Sequence, residues 1–185
     1  QEQSPVAELL DDSDPDVLLR RVSAAGRAIA YASDEAWYRV GRITSTKRSL
    51  NPVRRLRSTR PERAPLAEGV VVQDGEAVLA VDARPDRDPV LLLRAAAAAA
   101  QAGLRLSPYA VARLASESAP LPEPWPVAAR DSLISLLGAG RAAIPVWEAL
   151  DQADLISRLI PERKVVRSAP QRNPVHRFTV DRHRV

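Results

Sequence analysis

The sequence predicts a mainly α-helical fold, similar to a helical bundle, with one small β-hairpin. Two series of apolar residues at three- and four-residue spacings, one before residue 41 and one after residue 88, are typical of amphipathic helices. Between them, residues 69–82 change to β-branched runs on either side of an Asp-Gly dipeptide, which is a hairpin pattern. The chain has 185 residues, of which 45% are hydrophobic, and this is enough to form one domain with a hydrophobic core.

The first predicted helix begins at Pro15, with Asp14 as its N-cap, and continues to about Val40. Gly26 lies inside it but is only a mild penalty. One face is apolar at helical spacing; it comprises Val17, Leu18, Val22, Ala25, Ile29, Ala32, Ala36 and Val40. We expect Trp37 and Tyr38, at the end of this helix, to pack on a neighbouring element.

The acidic segment at the start of that helix carries Asp11, Asp12, Asp14 and Asp16. Carboxylates bind cations, but this segment lacks the glycine and the distal glutamate of a calcium loop. We therefore predict a solvated segment that caps the helix.

Residues 44–65 are predicted to be a loop or linker, because seven basic residues and three prolines replace the helical pattern and Glu62 is the only acid. Guanidinium groups suit phosphates, so a nucleic-acid footprint is the alternative. However, no aromatic residue lies among them for base stacking. The simpler interpretation is a solvated charged loop, and we expect no nucleic-acid partner.

The second half reads as the hairpin followed by short helices with clear boundary signals. Asp74-Gly75 is the predicted turn, and Gly138-Ala-Gly140 is a helix stop, since it lacks the rest of a dinucleotide fingerprint and follows no strand. Residues 161–176 are predicted to be irregular, and another helix is predicted from Phe178. The predicted helices run from Asp88-Pro89 to Gly103, from Ser107-Pro108 to about Ser116, and over 128–137, 142–152 (where Pro145 permits a kink) and 155–160.

Composition excludes several classes of protein. There is no cysteine, which rules out disulfides and thiolate metal sites, and no glycine-rich phosphate loop. The net charge is +4, the first sixteen residues are acidic, unlike a signal peptide, and the apolar run 90–106 is interrupted by charges and short for a membrane span. We expect a soluble, cytoplasmic protein without a membrane partner. The chain also lacks methionine, so we expect Gln1 not to be the natural start.

The two histidines, His176 and His183, both lie in the last ten residues. A metal site needs three or more ligands in a defined geometry, and these imidazoles with Asp181 supply only a fragment of one. From spacing alone they belong to a surface tail. Trp125 and Trp147 lie among apolar helix residues and are predicted to be core rather than ligand-binding.

Four stretches, taken in order, resemble a known family. After the hairpin come "DPVLLLRAAAAAAQAGLRLSPYAVARL", "WEALDQADLISRLIPE" and "PQRNPVHRFTVDRH". This series resembles the middle of the bifunctional uridylyltransferase/uridylyl-removing enzymes that act on the PII nitrogen-signalling protein. The last stretch is the most specific, and residues 15–68 match more loosely.

The resemblance implies a domain order. Residues 1–46 would follow a nucleotidyltransferase domain, 47–68 would be a basic linker, and 69–170 the hairpin with a central helical domain. Residues 171–185 would start a truncated HD phosphohydrolase domain. His183 matches that domain's first metal ligand, while its His-Asp pair would lie beyond Val185.

The resemblance also implies an activity for the parent enzyme but none for this stretch. The parent would transfer a nucleotidyl group from UTP or ATP to a tyrosine of PII, with Mg²⁺ held by paired aspartates, and would hydrolyse it when glutamine is high. This segment carries no expected catalytic or cofactor-binding residue, and we expect no cofactor to bind it tightly. Its role would be to connect the catalytic domains.

Two departures from the family pattern keep alternatives open. Arg163-Lys164-Val165 stands where the family has tryptophan and an acidic residue, and Arg184 replaces an apolar one. The alternatives are a non-catalytic helical adaptor or binding module, which would use Arg54, Arg55 and Arg57 on acidic protein or RNA, and a decayed remnant.

Overall fold

The computed structural model describes residues 3–10, 14–48, 64–170 and 179. The chain divides into two compact units, one formed by Gln1–Ser49 with Ile160–Val185 and the other by Leu50–Leu159. The described part is mainly helical with a small four-stranded sheet, which confirms the predicted fold class. The domain boundaries implied by the resemblance stay predictions.

The first unit contains three described helices: α1 (Gln3–Leu9), α2 (Pro15–Arg48) and α8 (Arg163–Val166). The predicted start of α2 is confirmed, because the Asp14 carboxylate accepts a hydrogen bond from the Asp16 amide at 2.6 Å. Helix α1 contacts α2, and the buried apolar side chains here are Ala7 and Leu18. The sequence reasoning did not find α1.

The prediction of an irregular segment over residues 44–65 is wrong at both ends. Helix α2 continues to Arg48, and the Thr44 hydroxyl donates to the Val40 and Gly41 carbonyls instead of breaking the helix. At the other end, Ala64–Ala67 form a strand. The irregular tail predicted from residue 161 is also wrong in part, since α8 makes one helical turn there.

The second unit contains the sheet, whose strands are β1 (Ala64–Ala67), β2 (Val70–Gln73), β3 (Glu76–Leu79) and β4 (Arg105–Leu106), in that spatial order. The predicted hairpin is confirmed: β2 and β3 pair antiparallel across Asp74-Gly75, and both turn residues have positive φ. Strand β4 pairs parallel with β3. The sheet is thus larger than the single hairpin predicted.

Helices α3 (Leu91–Gln101), α4 (Pro108–Glu117), α5 (Val127–Gly138), α6 (Ala143–Gln152) and α7 (Leu155–Leu159) complete this unit. Their order confirms the predicted series, and α5 ends at Gly138 as expected for a helix stop. A 3₁₀ turn, Gly140–Ala142, leads into α6.

Helix α3 is the centre of the core. Eight of its eleven residues are buried, because it packs against α5 and α6 and also contacts the sheet. Leu93, Val90 and Ala129 form one buried cluster. Trp125 packs against that cluster, as predicted, and Trp147 is half-buried on α6.

Within the described residues, no single helix is both long and apolar enough to cross a membrane. One bent pair, α5 with residues 140–152, meets the criteria of length and composition only when its two arms, 106° apart, are counted together.

Candidate functional site

The residues that the sequence singled out for chemistry fall mostly outside the described part of the chain. His176, His183, Asp181 and the arginines at 54, 55 and 57 all lie there. The assignment of His183 as a metal ligand therefore stays a prediction. Asp14 is described, and it is exposed and caps α2 as expected.

Over residues 3–10, 14–48, 64–170 and 179, no group of three or more His, Cys, Asp or Glu side chains is placed to hold a metal ion. The expectation that no cofactor binds this segment tightly stays a prediction.

Among the described residues, a set of ion pairs and hydrogen bonds surrounds the connection from β3 to α3, residues 80–90. Arg84 and Asp86 form a bidentate ion pair on this connection, with two nitrogen–oxygen distances of 3.0 Å. The hydrogen bond from Arg84 holds the pKa of the Asp86 carboxyl below its ordinary value. Both side chains are largely exposed, so this pair restrains the loop only weakly.

Helix α4 clamps the same connection from the side. Arg113 donates to the Ala83 carbonyl at 3.1 Å and also to the Glu117 carboxylate at 2.9 Å, one helical turn away. The hydrogen bonds from Arg113 lower the pKa of Glu117. The Ala119 amide donates to the buried Pro85 carbonyl at 3.0 Å, so the segment after α4 holds the connection as well.

A third contact fixes the start of α3. Asp88 accepts from the Val90 amide at 3.1 Å and from Arg94 at 2.7 Å. Arg94 also donates to the Glu68 carbonyl in the β1–β2 turn, at 3.3 Å. The predicted helix start at Asp88-Pro89 is wrong by about three residues, because α3 begins at Leu91 with Val90 as its N-cap. Asp88 instead stabilises the turn that precedes the helix.

These contacts position backbone but contain no catalytic arrangement. Asp86, Asp88 and Glu117 each face an arginine, and no serine or lysine nucleophile is paired with a base in these contacts. This polar surface is therefore a structural clamp that joins the sheet to α3 and α4.

Interior polar groups occur on α6 and α7. Asp151 and Ser157 are both buried, at 0% and 1% exposure. Both belong to the "WEALDQADLISRLIPE" stretch, and sequence reasoning did not single them out. Nearby, Arg158 donates to the Ala115 carbonyl at 2.6 Å and so ties α7 to α4.

Comparison with known proteins shows which enzymes the chain is similar to. The chain is 56% identical over 192 residues to the bifunctional uridylyltransferase/uridylyl-removing enzyme of Streptomyces coelicolor, an alignment that covers 99% of this chain. It is 44% identical over 166 residues to the enzyme of that name from Mycobacterium tuberculosis H37Rv, and 37% identical over 122 residues to that of Corynebacterium glutamicum.

The chain is homologous to a segment of the bifunctional uridylyltransferase/uridylyl-removing enzymes. This confirms the resemblance read from the sequence. The chain spans 23% of the length of the Streptomyces enzyme, 20% of the mycobacterial one and 17% of the corynebacterial one. No protein-family model matches it, and no solved structure matches it.

Proposed function

We propose that this segment is part of a PII-modifying nucleotidyltransferase and that it links the transferase domain to the uridylyl-removing hydrolase domain. The observation that carries the proposal is the 56% identity to a bifunctional uridylyltransferase/uridylyl-removing enzyme over 99% of the chain. In this proposal the longer protein transfers a nucleotidyl group from UTP or ATP to PII and removes it in response to glutamine. Mg²⁺ is used by the catalytic domains.

The segment itself contributes rigidity rather than chemistry. The second unit is a firm support for two reasons. Helix α3 is buried on nearly all sides, and the connection from β3 to α3 is held by Arg113, Asp88 and Arg94. Two active sites that act on one protein target must be held so that both can reach it, and a packed spacer meets that need. PII recognition by this segment is not required by the proposal.

The test compares the isolated chain with the longer protein. Purified residues 1–185 and the full-length gene product are each incubated with PII, Mg²⁺ and radiolabelled UTP or ATP, and label on PII is measured before and after glutamine is added. We expect label transfer and removal by the full-length protein, and neither by residues 1–185. Transfer by the isolated chain, or a full-length protein inactive on PII with both nucleotides, would contradict the proposal.

A further inference from the structure

Helix α2 carries an exposed apolar face. At about 100° per residue, the residues from Val22 to Thr44 on one side of the helix fall in a sector about 160° wide that contains no charged side chain. Every one of them is exposed, Ile29 at 71% and Trp37 at 72%. We call this sector the apolar stripe; it comprises Val22, Ala25, Gly26, Ile29, Ala30, Ala32, Ser33, Ala36, Trp37, Val40, Ile43 and Thr44.

The opposite side of α2 is the covered one. Arg27 is buried, and Tyr31, Glu35, Tyr38 and Arg42 are each partly buried, with the Arg42 guanidinium 5.8 Å from the centre of the Tyr38 ring. A helix normally buries its apolar face and exposes its polar one. In α2 the apolar side is exposed and the polar side is covered over about 32 Å of helix. This indicates that the apolar stripe binds a partner.

Charge narrows the choice of that partner. Helix α2 has seven basic residues and three acidic ones, a net charge of +4. The two longer stretches that lie mostly outside the described residues are also basic: residues 49–63 carry five arginines and one glutamate, and residues 171–185 carry four arginines and one aspartate. A second copy of α2 would bring the same +4. Repulsion between like charges therefore disfavours residues 49–63, residues 171–185 and a second copy of α2 as the partner that covers the apolar stripe.

Helix α1, which contacts α2, carries a net charge of the opposite sign. Helix α1 contains Glu8 and no basic residue, and no basic residue precedes Arg20 in the chain. Leu18, which lies on the same side of α2 as the apolar stripe and directly precedes it, is buried at 7%, whereas Val22, one turn later, is exposed. Burial on this side of α2 thus ends between Leu18 and Val22, at the start of the apolar stripe.

We propose that the apolar stripe of α2 is the docking surface for an acidic amphipathic helix supplied by the remainder of the longer enzyme. This rests on the proposed function, in which the chain is part of one polypeptide with catalytic domains. The Streptomyces relative is more than four times the length that this chain spans, so most of its polypeptide lies outside the matched segment. A partner on the same polypeptide is held at high effective concentration, which favours docking through one helix face.

Thiol labelling tests the proposal, because the chain has no cysteine of its own. Ala36→Cys places a thiol in the centre of the apolar stripe, and Ala24→Cys, at another exposed position of the same helix outside the apolar stripe, is the matched control. Each variant is made in residues 1–185 and in the full-length protein. Labelling by a maleimide is followed at the relevant peptide by mass spectrometry, and light scattering gives the oligomeric state.

In residues 1–185 we expect a monomer whose two thiols react at similar rates. In the full-length protein the thiol at position 36 is expected to react at least about tenfold more slowly, while that at position 24 changes little. Adding Arg39→Glu, at the edge of the apolar stripe, is expected to restore much of the reactivity at position 36. Arg20→Glu, the same charge change on the other side of α2, is expected not to do so.

Three results would overturn the proposal. These are fast labelling of position 36 in the full-length protein, slow labelling of it in the isolated monomer, and self-association of residues 1–185 that protects it. Failure of the proposed function is recognised separately, since the labelling contrast does not depend on whether the full-length protein modifies PII.

Discussion

At the scale of single residues, Arg113 is the side chain that joins α4 to the connection from β3 to α3. It donates to the Ala83 carbonyl and to Glu117. We expect Arg113→Ala to lower the free energy of unfolding by about 1 to 1.5 kcal/mol, because a carbonyl that accepts from a charged group loses its donor. Urea denaturation measures this, with Arg130→Ala, an exposed arginine on α5, as the control. Equal losses in the two variants would show that the clamp contributes nothing specific.

The paired carboxylates predict how stability responds to acid. Hydrogen bonds from Arg113 and Arg84 hold the pKa values of Glu117 and Asp86 below their ordinary values of 4.5 and 3.8. A group whose pKa is lower in the folded state stabilises the fold above its unfolded pKa, and that stabilisation is lost as pH falls through the folded pKa. We therefore expect stability to decline as pH falls below about 4.5.

Glu117→Gln separates this contribution from the general effect of acid. The variant is expected to be less stable than the wild type at pH 7, and the difference is expected to shrink as the pH is lowered through the titration of Glu117. Thermal unfolding at several pH values measures both proteins. A difference that stays constant with pH would show that the ion pair does not lower the pKa of Glu117.

At the scale of elements, the N-cap of α4 is the clearest sequence signal that the structure confirms. The Ser107 hydroxyl accepts from the Ala110 amide at 3.1 Å, and Pro108 occupies the first helical position. We expect Ser107→Ala to cost about 1 kcal/mol of stability. Ser116→Ala is the control, because that exposed hydroxyl bonds only to carbonyls of its own helix. Similar losses for the two serines, measured by denaturation, would argue against the cap.

Local chemistry explains which elements the sequence could predict. Two helix starts were predictable because a capping side chain precedes a proline, at Asp14-Pro15 and Ser107-Pro108. The hairpin turn was predictable because Asp74-Gly75 readily adopts the positive φ angles of a tight turn. Strands β1 and β4 have no such signal. Strand β1 contains Pro65 and exists because it pairs with β2 at the edge of the sheet, where a missing amide is tolerated. Strand β4 has two residues, and its pairing with β3 is set by the packing of α3.

The apolar stripe shows a second limit of local reasoning. Periodicity predicted an apolar face on the first helix correctly, but burial depends on what other elements cover that face. The expectation that Trp37 packs on a neighbour is wrong, since its ring is exposed, whereas Tyr38 is partly buried and lies under Arg42. The residue types of α2 therefore indicated a contact surface, but they did not indicate whether another part of this chain covers it.

At the scale of the whole molecule, the core around α3 is predicted to carry the stability of the second unit. Leu93 is fully buried beside Val90 and Ala129. We expect Leu93→Ala to cost between about 2 and 5 kcal/mol, because it removes buried methyl groups and leaves a cavity. Leu137→Ala, on an exposed position of α5, is expected to change stability by about 0.5 kcal/mol or less. Comparable losses at the two sites would contradict this assignment of the core.

The functional assignment was available from the sequence because the matching stretches keep their order along the chain. The metal ligand proposed there, His183, lies outside the described residues, and the proposed partners PII, nucleoside triphosphate and glutamine would act on the longer protein of the proposed function. No spacing within 185 residues can identify ligands contributed by other domains. What the structure adds is the clamped, centrally packed support and the apolar stripe.

The central claim, that this chain is a linking segment of a bifunctional enzyme, is tested most directly by sequencing the source DNA on both sides of these 185 codons. The account predicts an in-frame nucleotidyltransferase domain with paired aspartates upstream and an HD phosphohydrolase domain with its His-Asp pair downstream. A start codon directly before Gln1 and a stop codon directly after Val185 would contradict it and would leave the adaptor or remnant hypotheses.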